Sequence, residues 1–189
     1  MITGPASIGD NFRQGEHVIE TRKLHLIPCE PPHMATILRD TRGLEPLLSV
    51  SVPDSWPVFP EAVPYVYEQL RLDPLSVGWW TYLFVHSGDR VLVGEGGFKG
   101  KPGGSNVVEI GYAMVPAYRQ RGLATEAARG LAGWAFSHPN VAAVEAETLP
   151  DGHGSIRVLK KLGMKLAGST DEVLRWRLDR QDFREEGAK

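Results

Sequence analysis

Apolar residues alternate with polar ones, or recur at helical spacing, along most of the chain, and this pattern predicts a series of short elements. Helices are predicted from Pro32 to Gly43, Glu61 to Leu72, Gly122 to Phe136 and Ser155 to Leu162. Strands are predicted at 21–27, 79–86, 91–98, 107–114, 141–148, 164–167 and 173–178. The order β-α-α-β-β-β-α-β-α-β-β predicts one domain of mixed α and β structure.

The two ends of the chain lack such a pattern. Residues 2–15 show no hydrophobic period, and residues 185–189 are mostly charged. We therefore expect a flexible segment at 1–16, a single domain at 17–180 and a charged tail at 181–189.

Composition narrows the class of protein. The 42% hydrophobic and 23% charged content is ordinary for a globular domain. A net charge of −2 argues against nucleic-acid binding through a basic surface. The single cysteine, Cys29, cannot form an internal disulfide, and no apolar run approaches a membrane span. We expect a cytoplasmic protein without a nucleic-acid or membrane partner, and without a metal because the six histidines lack ligand spacing.

The most informative segment runs from the strand at 107–114 through a basic turn into an alanine-rich helix. The first amides of a helix lack internal acceptors, and the helix dipole adds positive charge there. Gly122 allows close approach of a ligand to the backbone, while Arg119 and Arg121 add fixed positive charge. This arrangement predicts a site for a pyrophosphate.

Two motifs resemble one family. Arg119-Gln120-Arg121-Gly122-Leu123-Ala124 resembles the Q/R-x-x-G-x-G/A signature of the GNAT superfamily of acetyl-coenzyme A dependent N-acetyltransferases. Residues 148–164 are similar to the T-x-P-x-N-x-x-S-x-x-V-L-x-K-L-G-F segment of the branch that includes Rim-type ribosomal-protein N-terminal acetyltransferases. The resemblance implies an α/β (α+β) fold with a mixed, mostly antiparallel seven-stranded sheet and helices on both faces. The sheet would splay between the parallel strands 107–114 and 141–148.

The resemblance also implies the cosubstrate, acetyl-coenzyme A, and the residues that bind it. The pantetheine arm would follow the backbone at Met114 and Val115. The pyrophosphate would lie on the turn and first helical amides, formed by Arg119, Gln120, Arg121, Gly122, Leu123, Ala124 and Thr125.

Acetyl transfer to an amine requires a base, because a free alkyl amine is mostly protonated at neutral pH. Glu109 is the first candidate, acting directly or through water; the alternative is a structural strand carboxylate. Ser155 matches the family serine that assists the departing thiolate, and its alternative role is a helix N-cap. Tyr112 stays open as a replacement for that serine.

Other positions carry weaker expectations. Gly152 stands where the family usually has asparagine, and His153 beside it could substitute for the lost group. An acceptor pocket is the candidate location for four side chains, the carboxylate of Glu95 and the rings of Trp56, Trp79 and Trp80. The alternatives are an ordinary strand carboxylate and ordinary core residues.

These observations predict an N-acetyltransferase that brings acetyl-coenzyme A and a primary amine together for direct attack. The amine would be a protein N-terminal α-amine or a small molecule. Because Gly152 departs from the asparagine usual in the family, a non-catalytic acyl-coenzyme A binding or sensing module is the alternative function. A homodimer is possible, with Trp176 and the last strand as an exposed edge.

Overall fold

The computed structural model describes residues 17–184, so the expected flexible segment 1–16 and residues 185–189 lie outside the described chain. Its strands are β1 (Ile19–Glu20), β2 (Leu24–Pro28), β3 (Thr81–His86), β4 (Val91–Phe98), β5 (Val107–Met114), β6 (Ala143–Thr148), β7 (Lys165–Ser169) and β8 (Leu174–Asp179). Its α-helices are α1 (Pro31–Arg39), α2 (Leu44–Leu48), α3 (Ala62–Leu72), α4 (Leu123–Ser137) and α5 (His153–Leu162).

The strands form one sheet in the order β1-β2-β3-β4-β5-β6-β8-β7. Neighbours are antiparallel except β5 and β6, which are parallel. The mixed, mostly antiparallel sheet is therefore confirmed, but it has eight strands within residues 17–184 rather than seven. The additional strand, β1, has two residues, which is too short for alternation to reveal.

Each face of the sheet carries its own hydrophobic core. Helices α4 and α5 pack on one face, where Leu131 and Leu159 join Val108 and Ile110 of β5. Helices α1, α2 and α3 cover the other face. The predicted helices on both faces are confirmed.

The centre of the sheet opens after three residue pairs. Strands β5 and β6 pair at Val107–Ala143, Val108–Val144 and Glu109–Glu145, and their pairing ends there. Beyond that point β5 is paired only with β4, and β6 only with β8. The expected splay is confirmed, and the two strands face each other across a gap.

Helix α4 follows the predicted anion site and is fixed at both ends. In its first turn, Glu126 Oε1 accepts hydrogen bonds from Thr21 Oγ1 at 2.7 Å and from the Lys23 amide at 2.5 Å. At and beyond its last turn, the Arg180 guanidinium donates to the carbonyls of Phe136, His138 and Val141. Hydrogen bonds from distant segments therefore hold both ends of this helix.

The first helical segment differs from its prediction in two ways. The first helix ends at Arg39 instead of Gly43, because Asp40 turns away and its Oδ1 accepts from the Arg42 amide at 3.0 Å. Helix α2, which follows, was not predicted, since its five residues hold less than two turns.

The predicted tail and interface are also revised. The ring centroids of Phe183 and Phe136 lie 5.2 Å apart, so the predicted tail packs against α4 at Phe183. Strand β8 lies between β6 and β7, and Trp176 is buried, so the expectation that they form an exposed edge was wrong. Within the described chain, no helix is long and apolar enough to cross a membrane.

We expect Arg180→Met to lower the free energy of unfolding by about 2–4 kcal/mol, because three carbonyls lose a charged donor. Chemical denaturation measures this change. The control is Arg175→Met, which removes an exposed ion pair with Glu147 and should change stability by less than about 0.5 kcal/mol. Equal losses of stability in the two variants would contradict the role of Arg180 in holding the end of α4.

Candidate active site

A cleft of about 880 Å³ opens where β5 and β6 diverge. The N-termini of two helices, α4 and α5, meet at this cleft, and Phe59 borders it from the loop before α3. Its other lining residues are Tyr112, Ala113, Met114, Tyr118, Arg119, Gln120, Gly122, Ala124, Thr125, Asp151, Gly152, His153, Gly154, Ser155, Arg157, Val158 and Lys161.

The turn before α4 presents unpaired backbone donors to the cleft. Gln120 and Gly122 have φ angles of 59° and 81°, which turn the backbone sharply before the helix. The amides of residues 122–125 have no acceptor within residues 17–184. A side chain at Gly122 would meet no protein atom within 4 Å. The geometry therefore fits an anion bound against bare backbone.

Positive side chains surround these amides. Arg119 lines the cleft, and its Nε donates to the Met114 carbonyl at 2.9 Å, which ties the turn to the end of β5. Arg157 and Lys161 lie one turn apart on α5 and line the opposite wall. This charge suits a ligand with several phosphate groups.

Three residues predicted to bind the cosubstrate have side chains that lie elsewhere. Val115 is buried, its amide donates to Val93 at 2.9 Å, and its carbonyl accepts from Tyr118. Leu123 packs in the core, although its amide is one of the unpaired donors. The Arg121 guanidinium stacks on the Tyr118 ring at 4.6 Å and supports the turn from outside the cleft.

Ser155 lines the cleft as the third residue of α5. The helix N-cap is Gly152, so the alternative reading of Ser155 as the cap was wrong. The Ser155 hydroxyl has no hydrogen-bond partner in the described part of the protein. It is therefore available to a ligand in the cleft.

Tyr112 also borders the cleft, from strand β5. Its hydroxyl is buried and has no partner among the described residues. Burial raises the pKa of Tyr112, so the phenol is protonated at neutral pH and carries a hydrogen that it can donate. The structure places both candidates for the proton donor, Ser155 and Tyr112, on one cleft.

The local backbone accounts for Gly152. A Cβ added there would lie 2.9 Å from the Leu149 carbonyl oxygen, so an asparagine would require the loop to shift. The neighbouring His153 is exposed and lines the cleft. This loop follows a tighter path than an asparagine would allow.

Glu109 does not line the cleft. It lies at the last paired position of β5 and β6, and its carboxylate forms an ion pair with Lys99. This placement does not support direct proton removal from an amine in the cleft, and it leaves only a route through water.

Glu95 on β4 is more deeply buried than sequence reasoning indicated, with 4% exposure. Its Oε1 accepts hydrogen bonds from the amides of Val58 and Phe59 at 2.8 and 2.6 Å. Burial raises the pKa of Glu95, while these two bonds oppose the shift. The one sequence signal was its position among glycines on a strand that is otherwise apolar.

The remaining candidates pack into the cores. The three candidate tryptophans, Trp56, Trp79 and Trp80, are buried. They line neither the cleft nor a second, small pocket that lies beside Glu95. Burial raises the pKa of the Cys29 thiol, so it is not an activated nucleophile. Residues 17–184 contain no group of three or more histidine, cysteine or acidic side chains that could hold a metal.

Comparisons with known proteins identify the family. Residues 55–165 match the family described as "Acetyltransferase (GNAT) domain". The chain is 30% identical over 161 residues to "Uncharacterized N-acetyltransferase YjdG" of Bacillus subtilis (strain 168), covering 84% of this chain and 96% of the relative. The chain therefore belongs to the GNAT acetyltransferase family and is an enzyme of that class.

Solved structures share the fold. A GNAT-family acetyltransferase from Bacillus anthracis aligns with a TM-score of 0.60 at 20% identity, covering 87% of this chain and 99% of that one. The ribosomal-protein-S5-alanine acetyltransferase from Vibrio fischeri aligns with a TM-score of 0.62 at 17% identity, covering 89% and 99%. RimL, a ribosomal L7/L12 α-N-protein acetyltransferase solved with coenzyme A, aligns at 0.60 and 14% identity, covering 86% and 97%.

Proposed function

We propose that this enzyme transfers an acetyl group from acetyl-coenzyme A to a primary amine within a ternary complex. The observation that carries the proposal is the cleft itself, in which unpaired helical amides meet an opening between two parallel strands. One end suits a pyrophosphate and the other reaches Phe59 on the opposite side of the sheet.

The donor would be held mainly by backbone. The amides of residues 122–125 and the Arg119 guanidinium would bind the pyrophosphate. Tyr112, Ala113 and Met114 line the cleft from β5, which lacks a partner strand on that side. A pantetheine arm, with its two amide groups, can pair with such a strand edge.

The chemical step needs few protein groups. The amine nitrogen forms a bond to the acetyl carbon, the carbon–sulfur bond breaks, and the sulfur leaves as a thiolate. The Ser155 hydroxyl would donate a hydrogen bond or a proton to that thiolate. The ammonium group would lose one proton through water to the Glu109 carboxylate before attack, and the nitrogen would lose a second proton as the amide forms. One of these protons goes to the thiolate, directly or by restoring the Ser155 hydroxyl, and the other is released, so the products are the amide, coenzyme A and a proton.

The acceptor would be a protein N-terminal α-amine or a small-molecule amine. Names of two structural neighbours concern ribosomal proteins, which supports the first possibility at the level of fold alone. Homodimerisation and a cytoplasmic location stay predictions.

The first test concerns the pyrophosphate site. We expect Gly122→Ala to raise the Kd for acetyl-coenzyme A at least tenfold, because the added methyl group enters the space against the amides and strains a positive φ by about 1–2 kcal/mol. The control is Gly163→Ala, which has a similar φ of 93° at the end of α5 but does not line the cleft. Calorimetry should show unchanged affinity for the control, and equal effects would contradict the assignment.

The second test separates the two hydroxyls. We expect Ser155→Ala to lower kcat at least tenfold while the Kd for acetyl-coenzyme A stays within twofold, because the group acts on the departing thiolate. Tyr112→Phe removes a hydroxyl that has no partner within residues 17–184 and should change kcat less. Coenzyme A thiol release measures both, and the reverse order would assign the proton donor to Tyr112.

The third test concerns the base. We expect Glu109→Gln to lower kcat at least tenfold with little change in the KM for either substrate, because proton removal slows while binding persists. Lys99→Met breaks the same ion pair but keeps the carboxylate. If both variants lose the same activity, the ion pair is structural and Glu109 is not the base.

A further inference from the structure

A second, smaller pocket lies beside the cleft on the face covered by α1 and α3. It has a volume of about 50 Å³ and is lined mostly by apolar side chains, among them Met34, Ile37 and Phe59, together with the hydroxyl-bearing Thr81 and one carboxylate, Glu95. Phe59 borders both this pocket and the cleft. The pocket is therefore a neighbour of the cleft, with one aromatic ring between them.

The sheet places Glu95 next to the cleft. Glu95 of β4 is directly opposite Ala113 of β5, and Ala113 lines the cleft. Opposite residues of antiparallel strands share a face, with their Cβ atoms about 5 Å apart. A carboxylate is thus fixed within one side-chain length of the gap between the strands.

Only one oxygen of this carboxylate has a structural role. Oε1 accepts both amide hydrogen bonds from the Phe59 loop. Oε2 has no hydrogen-bond partner within residues 17–184, although the side chain lines the pocket. A carboxylate has room for further donors on its second oxygen.

Its charge is also uncompensated. No lysine, arginine or histidine in the described chain forms an ion pair with Glu95, and the charged group that contributes to its raised pKa is another carboxylate, Glu61. A buried carboxylate without a cation is costly, and a cation at the same place relieves that cost. An ammonium group bound in this pocket would be such a cation.

On the basis of the proposed function, we propose that Glu95 binds the ammonium group of the acceptor before that group loses its proton. The acceptor selected in this way is a primary amine with one positive charge and a short apolar substituent. The small volume limits the substituent, and Glu95 is the single charged side chain of residues 17–184 that lines the pocket, so a second positive charge would find no anionic partner there. The cationic side chains Arg119, Arg157 and Lys161 in the adjoining cleft also disfavour polycations.

The variant Glu95→Gln tests this role without removing the loop anchor, because the carboxamide oxygen can still accept from Val58 and Phe59. We would measure steady-state kinetics with alaninamide, phenylalaninamide and spermidine as acceptors. We expect the KM for alaninamide to rise at least tenfold, with kcat within threefold and the Kd for acetyl-coenzyme A within twofold. The wild type should prefer alaninamide to the other two amines.

Glu61→Gln is the matched control, because it removes one nearby negative charge from an exposed position outside the pocket. It should leave the KM for alaninamide unchanged. An unchanged KM in Glu95→Gln, or a loss confined to thermal stability, would show that Glu95 only anchors the loop. A wild-type preference for spermidine would overturn the selectivity. If the wild type acetylates no amine while binding acetyl-coenzyme A, the proposed function itself fails and the acceptor site fails with it.

Discussion

The early end of the pairing between β5 and β6 is the constraint on which the site depends. Three residue pairs join the strands, and then each strand keeps a neighbour only on its outer side. Unpaired backbone groups in a protein interior need a partner, and here they face an open cleft. The same divergence brings the first turns of α4 and α5 to one place and lets the cleft reach both faces of the sheet. A ligand that carries amide and phosphate groups can pair with the unpaired strand groups and with the first turns of these helices.

The two faces of the sheet present different chemical groups. The side of α4 and α5 supplies backbone donors and cationic side chains, which suit phosphate groups. The side of α1 and α3 is apolar and carries one buried carboxylate, Glu95. Phe59 stands at the junction, with its amide bound to Glu95 and its side chain bordering the cleft. Donor and acceptor would therefore meet from environments of opposite charge.

Sequence reasoning recovered what contiguous residues encode. Alternation located the longer strands, and the turn from Arg119 to Thr125 could be recognised because its donors and glycine are neighbours in the chain. It failed where contacts come from distant segments. Alternation placed Glu109 on a strand but could not show that Lys99 would pair with it, or that the Phe59 loop folds over Glu95. Short elements such as β1 and α2 hold too few residues for a period to appear.

The hydrogen bonds that hold the two ends of α4 have a consequence for the order in which the protein folds. Its first turn is bound by Thr21 and Lys23, which precede it by a hundred residues. Its later contacts come from Arg180 and from the Arg184 carbonyl, which accepts from Arg129 at 2.9 Å. During synthesis the helix emerges long before these last partners. The full set of hydrogen bonds that holds α4 can therefore form only after the segment that follows β8 has left the ribosome.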